Sequence, residues 1–224
     1  MNKTLHLIRH GESQANAGGI TMEHAAIPLT ELGHHQAQAL AALLPPEPTG
    51  VWVSPFLRAQ ETARPYCART SRPPVILTLL HEFETIDSDL LRGMTGQERR
   101  PIADAYWQQC DPDRRMGARA ETFREFAQRV QFFCDTYLDT LPDGAVLFGH
   151  GIWTGMLVWK LLGFSANDRL GMQTFRRFQT GLPMPNGAVY RFSEAAAGDW
   201  KVTVDEVLLR AVMGVRIPAE ATIL

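Results

Sequence analysis

The sequence predicts an α/β fold in three layers: a mainly parallel central sheet, helices on both faces, and a small cap insertion at about residues 81–120. Two observations carry this. Short apolar runs of strand length alternate with longer stretches of helical periodicity, the pattern of strand–helix–strand units. Two of the runs, LHLIRHG at 5–11 and AVLFGHG at 145–151, also end alike in His–Gly. No linker divides the chain, so 1–224 reads as a single domain.

Leu5–Ile8 is the first expected strand. Thr30–Leu44 follows as a helix, with Leu32, Gln36, Ala39, Leu40 and Leu43 at helical spacing, stopped by Pro45, Pro46 and Pro48. Val51–Val53 is the second strand. Ser54–Pro55 reads as a helix start, because serine caps and proline fits the first turn; that helix runs to about Arg69. Val75–Leu79 is the third strand. The polar stretch 81–120 shows helical pattern near Gly96–Gln109. Thr122–Leu141 is a strongly amphipathic helix carrying Phe123, Phe126, Val130, Phe133 and Tyr137 on one side. Pro142–Gly144 turns the chain into the fourth strand, Ala145–Phe148. Ile152–Leu162 is a helix ended by Gly163. Ala188–Phe192 and Trp200–Val207 read as late strands, and the tail VLLRAVMGVRIPAEATIL is apolar enough to pack on the domain or on another subunit.

Composition excludes several classes. Apolar residues make up 45% and charged residues 21% of the 224, an ordinary globular balance. A net charge of −2 with scattered cations leaves no electrostatic footprint for nucleic acid. No stretch reaches the roughly 20 apolar residues of a membrane span, and Arg9 and His10 interrupt the only N-terminal apolar run. Cys67, Cys110 and Cys134 read as free thiols of a reducing compartment. The expectation is a cytoplasmic protein with no nucleic-acid or membrane partner.

In open α/β sheets the ligand edge lies at the carboxyl ends of the strands. The four expected parallel strands deliver Arg9 and His10, Arg58, Glu82, and His150 there. Arginine presents a planar fork of donors matched to phosphate oxygens, and a helix N-terminus adds backbone donors. A neutral imidazole nitrogen can attack phosphorus. A carboxylic acid can protonate the leaving oxygen and then act as a base toward water. The glycine after each histidine lets a ligand approach the backbone. The chemistry indicated is phosphoryl transfer.

The motifs RHGESQAN (9–16), PLTELGHHQA (28–37), SPFLRAQETA (54–63), LLHEFE (79–84) and FGHGIWTG (148–155), with NGAVYRF (186–192) more weakly, span nearly the whole chain. In this order they resemble the histidine phosphatase superfamily, also called the phosphoglycerate mutase-like family. The resemblance implies a phosphatase in which His10 becomes phosphohistidine. Arg9, Arg58 and His150 would hold the phosphoryl oxygens, and Gly151 would let the phosphate close to the backbone. Glu82 would be the acid and base, and Asn16 would contact phosphate or substrate. No metal or other cofactor is implied, because the arginines supply the positive charge.

One departure concerns the acid. Glu84 follows Glu82 by two residues, and on a strand both face the same side. Glu82 is preferred because it follows Leu79–Leu80 as the family glutamate does. Arg99 and Arg100, with Glu98, and Arg114, Arg115 and Arg119 lie in the expected cap, where they are either solvated surface or a clamp for an anionic substrate. His34–His35 read as a solvated helix face, and His81 with Asp87 and Asp89 as unrelated to a metal. The mutase branch, a non-catalytic phospho-ligand binder and a metal hydrolase are the alternatives. The short spacing between RHGES and PLTELG, and the segment after Glu82, favour a phosphatase. The substrate expected is a small phosphorylated molecule or a phosphoprotein.

Overall fold

The computed structural model describes residues 3–182, 184–196 and 198–216. Six strands form one sheet: β1 (Lys3–Arg9), β2 (Val51–Val53), β3 (Val75–Ile76), β4 (Ala145–Gly149), β5 (Val189–Ala196) and β6 (Asp199–Val204). Their spatial order is β3-β2-β4-β1-β5-β6. β3, β2, β4 and β1 run parallel, whereas β5 and β6 are added antiparallel. The expected three-layer α/β architecture is borne out.

Strand β4 shows how the layers are made. All five of its residues are buried, as a strand covered on both faces requires. Ala145 and Leu147 join a cluster with Phe126, Val130, Trp153 and Met156, from α4 (Phe123–Phe133) and α5 (Gly151–Leu161). Val146 and Phe148 point the other way, among Leu40, Ala59 and Ala63, from α1 (Glu31–Leu43) and α2 (Leu57–Thr70). Each fully buried side chain of this size contributes about 1.5–3 kcal/mol. Three helices start on threonine caps. The Thr30 side chain accepts from the Gly33 N–H. Thr95 and Thr122 form reciprocal capping boxes with Glu98 and Glu125 at the starts of α3 (Gly96–Gln109) and α4.

Several boundaries differ from the sequence expectation. The third strand covers only Val75–Ile76, and Thr78–Leu80 forms a 3-10 turn. Glu82 and Glu84 therefore lie in irregular chain rather than on a strand. α2 begins at Leu57, not at Ser54–Pro55; proline holds the residue before it out of helical geometry, which frees the Ser54 side chain for another partner. The helix from Thr122 ends sooner than Leu141, passing into one π-helical turn at Cys134–Leu138. α6 (Arg169–Gly181) was not anticipated. The last strand stops at Val204, and Val207 falls in α7 (Glu206–Met213). The start of the tail thus packs on the domain, with Leu208 and Val212 buried beside Leu40; residues 217–224 lie outside those described. Among the described residues no helix is long and apolar enough to cross a membrane.

Candidate active site

The sheet order places the carboxyl ends of β1, β4 and β2 side by side. The His10 N–H donates to the Gly149 carbonyl at 3.1 Å, and the Ser54 N–H to the Phe148 carbonyl at 3.0 Å. Three neighbouring strands thus hand over His10, His150 and Ser54 at one edge. The two imidazole rings meet edge to face, with centroids 5.2 Å apart.

His10 is 4% exposed. Its Nδ1 lies 2.7 Å from the Gly11 carbonyl, an acceptor only, so Nδ1 carries the proton. Arg58 Nε donates to His10 Nε2 at 3.2 Å, which marks Nε2 as the lone-pair nitrogen. Burial, then the Arg58 and Arg9 cations, hold His10 well below the usual histidine range. His150 is fully buried, and burial with the same cations and His10 holds it well below that range too. Its Nε2 lies 2.7 Å from Ser54 Oγ, while its buried Nδ1 has no partner. Ser54 Oγ also accepts from the Phe56 N–H at 3.3 Å.

The two arginines are held by backbone carbonyls. Arg58 Nη1 donates to the His24 carbonyl at 2.8 Å, and its guanidinium lies 4.9 Å from the Phe56 ring centre. Burial, followed by opposing contributions from Glu82 and Arg9, brings Arg58 down to about 10, so it stays cationic at neutral pH. Arg9 donates to the Met184 carbonyl, and its buried Nε has no partner. Gly151 gives it room: a Cβ there would lie 3.3 Å from Arg9 Nε.

Glu82 is fixed by the start of α5. Its Oε2 accepts from the Ile152 N–H at 3.0 Å and its Oε1 from the Trp153 N–H at 2.9 Å. Oε1 also accepts from the Phe83 N–H at 3.0 Å. The carboxylate thereby satisfies orphan donors of a helix N-terminus. Glu84 differs. Burial first, then Glu121, raises it, and it is absent from the cleft into which Glu82 opens.

Arg9, His10, Asn16, Arg58, Glu82 and Gly151 line one cleft of about 560 Å³, with His150 in contact behind His10. Of the arginines in the expected cap segment only Arg99 lines it. Arg119 pairs with Asp87 and Asp89, Arg115 with Glu125, and Arg114 Nε with Met116 Sδ. Arg100 faces Asp104 at 3.8 Å. His81 is turned to the Thr78 carbonyl. Among the described residues no group of three His, Cys, Asp or Glu side chains forms a metal-holding cluster.

Sequence reasoning missed the residues that hold the site. Thr62 Oγ1 accepts from the Gly11 N–H at 3.0 Å and donates to the Arg58 carbonyl at 2.6 Å. Glu61 accepts from the Leu29 N–H, and Gln36 from the Glu12 N–H. Asn186 Nδ2 donates to the carbonyls of His10 and Gly11 and to Asn16 Oδ1. Asn16 Oδ1 also accepts from the Ser13 N–H and hydroxyl. The backbones at Gly11 and Gly33 lie close: a Cβ on Gly11 would lie 2.7 Å from the Gly33 carbonyl oxygen, and one on Gly33 2.0 Å from the Glu12 carbonyl oxygen. The signal for Ser54, Glu61, Thr62 and Asn186 was their place in the family motifs, but nothing in one sequence separated holders from reactants.

The histidine phosphatase superfamily (branch 1) profile matches residues 5–180. An adenosylcobalamin/alpha-ribazole phosphatase of Salmonella typhi is 35% identical over 169 residues, 72% of this chain and 81% of that protein. The crystal structure of the alpha-ribazole phosphatase from Shigella flexneri is 26% identical, with a TM-score of 0.70, covering 90% of this chain and 95% of that one. A mycobacterial glucosyl-3-phosphoglycerate phosphatase, 22% identical with a TM-score of 0.66 over 91% of this chain and 98% of that one, shares the fold. The chain belongs to the histidine phosphatase superfamily. At the level of enzyme class, the expected histidine phosphatase is borne out.

Proposed function

We propose that this protein hydrolyses a small phosphate monoester, without a metal, through a phosphohistidine at His10 Nε2. The observation that carries the reading is the fixed tautomer of His10, with its lone-pair nitrogen beside Arg58 in the cleft. The Nε2 lone pair attacks phosphorus, forming the P–N bond as the P–O bond to the leaving alcohol breaks. Glu82, protonated at this stage, gives its proton to the departing oxygen. Water then attacks the phosphorus and yields a proton to the Glu82 carboxylate. The P–N bond breaks, its electron pair returns to Nε2, and inorganic phosphate leaves.

Arg9 and Arg58 neutralise the charge spread over the equatorial oxygens. Ser54 acts on His150. Its Oγ accepts from the Phe56 N–H, and its own hydroxyl proton is assigned to His150 Nε2. That leaves the proton of His150 on Nδ1, the unpartnered nitrogen, as a donor for a phosphoryl oxygen. Asn16 and Asn186 hold the His10 loop in place, and the part of the chain around α3 acts as the cap.

The test is hydrolysis of p-nitrophenyl phosphate in EDTA, with rapid acid or alkaline quench. The expected results are turnover that survives EDTA, and an acid-labile, alkali-stable phosphoenzyme that is lost in His10→Ala. Equal turnover by His10→Ala would overturn the reading.

A further inference from the structure

The phosphate end occupies only part of the cleft. Pockets of roughly 300–1,000 Å³ take ligands of drug-like size, and about 560 Å³ is ample for a leaving group with a sizeable body. Apolar side chains from separate segments line the same cleft: Ile20, Met22, Leu91, Ile152, Leu182 and Met184. Ile20 is 62% exposed and Met22 39%, although the loop that carries them is tied down. The Thr21 N–H donates to the Met94 carbonyl at 2.8 Å, and the Gly96 N–H to the Gly18 carbonyl at 3.0 Å. Arg99 donates to the carbonyls of Ala15 and Gly19 and to Thr21 Oγ1. A pinned loop holding bare aliphatic side chains over a polar reaction centre leaves apolar area for a ligand to cover.

The charge on this wall is equally informative. Among the described residues Arg99 is the only arginine lining the cleft beyond Arg9 and Arg58, and no lysine does. Arg99 spends three donor contacts on the distant loop at 15–21, so it works as a clasp and not as a clamp for a second anion. The polar side chains that remain on this side are Thr21, His24, Gln179 and Thr180; burial holds His24 below the usual histidine range, and its Nε2 meets the Ile86 carbonyl at 3.0 Å. Gln179 Oε1 is itself engaged by Arg176.

From this we infer that the leaving alcohol carries a neutral, apolar body, an aromatic or bulky aliphatic ring system, received by the wall of Ile20, Met22 and Leu182. The inference rests on the hydrolytic reading above and adds the substrate class to it. A second carboxylate or phosphate on the leaving group has no dedicated partner and meets apolar surface instead.

The experiment compares kcat/KM for 2-phenylethyl phosphate, ethyl phosphate and 3-phosphoglycerate. All three release a primary alkoxide, so leaving-group chemistry does not bias the comparison. The phenylethyl ester is expected to lead each of the others by about tenfold or more. In the Ile20→Ser/Met22→Ser double variant the phenylethyl-to-ethyl ratio is expected to fall toward one. A preference for 3-phosphoglycerate, or a ratio unchanged in the double variant, overturns the inference while leaving phosphatase activity standing. If no ester turns over, the hydrolytic reading fails instead. The wall is then judged by calorimetry with 2-phenylethylphosphonate and ethylphosphonate: tighter binding of the aromatic compound supports it, and equal binding overturns it.

Discussion

Two strands end in the same dipeptide, His–Gly, and lie as parallel neighbours with Ile8 opposite Phe148. Their surroundings then diverge. After β1 the chain enters a loop braced by Thr62 and Asn186, and His10 stands at the cleft with both ring nitrogens engaged. After β4 a helix begins at once, with His150 as its N-cap residue in extended geometry. The His150 side chain makes no cap hydrogen bond; Glu82 from another segment satisfies that helix start instead. One sequence motif thus yields a ring at the cleft at the end of a loop and a buried ring at the root of a helix. Two things separate them: the conformation of the chain after each glycine, and the partner that fixes each ring.

Four perturbations break or sharpen this contrast. The largest effect is expected at His10: His10→Ala lowers kcat by about 10⁴-fold or more, because the covalent route is lost. His150→Ala, removing one donor to the phosphoryl group, costs about 10²–10³-fold. Equal losses, with phosphoenzyme still forming on His10→Ala, would erase the distinction. Next comes the acid. Glu82→Gln lowers turnover of alkyl esters by about 10²-fold or more, and less with p-nitrophenyl phosphate, whose leaving group needs little protonation. Glu84→Gln stays within a few-fold; the reverse order would move the role to Glu84.

The third perturbation concerns pH. In the proposed mechanism His10 attacks as the neutral imidazole, and its environment depresses its proton affinity, so the acid limb of kcat/KM is expected below the ordinary histidine value of 6.5. Arg58→Gln removes one depressing cation and shifts that limb upward, besides slowing turnover; a downward shift would refute the electrostatic account. The same depression makes stability fall as pH drops below the unfolded value of 6.5, since the unfolded chain then takes up protons that the buried rings exclude. The fourth perturbation, Ser54→Ala, is expected to cost about tenfold in kcat with KM little changed, the smallest loss among the residues given a role. The ¹⁵N shifts of His150 should show a redistributed tautomer, and Ser54→Thr should restore part of the rate. Unchanged ¹⁵N shifts would leave Ser54 a packing residue only.

Much of this was legible before any coordinates. Apolar runs and His–Gly echoes located β1 and β4, because strands buried on both faces read as unbroken apolar stretches. Thr30 announced α1 because a cap is a local event. The failures were non-local. Ser54 looked like a cap, and only the sheet order reveals His150 as its partner, 96 residues away. Glu82 and Glu84 were inseparable by periodicity, because what makes their surroundings differ, the Ile152 and Trp153 amides on Glu82, comes from the distant α5. α7 was hidden since its first residues continue the apolar pattern of β6. Arg99 was visible as a cap residue, but its bonds to Ala15 and Gly19 cross 84 and 80 residues of chain.

Asn186 reaches the carbonyls of His10 and Gly11, and the Arg9 N–H donates to the Ala188 carbonyl at 2.9 Å. The two carbonyls lie 176 and 175 residues before the Asn186 side chain. Residues 10 and 11 are therefore translated long before residue 186, and the loop that carries His10 receives this last brace only when that later segment has been made. Until then Thr62 and Gly149 hold the loop without it. A chain truncated before residue 186 would contain Arg9, His10, Arg58, Glu82 and His150 and still lack the Asn186 brace on the His10 loop.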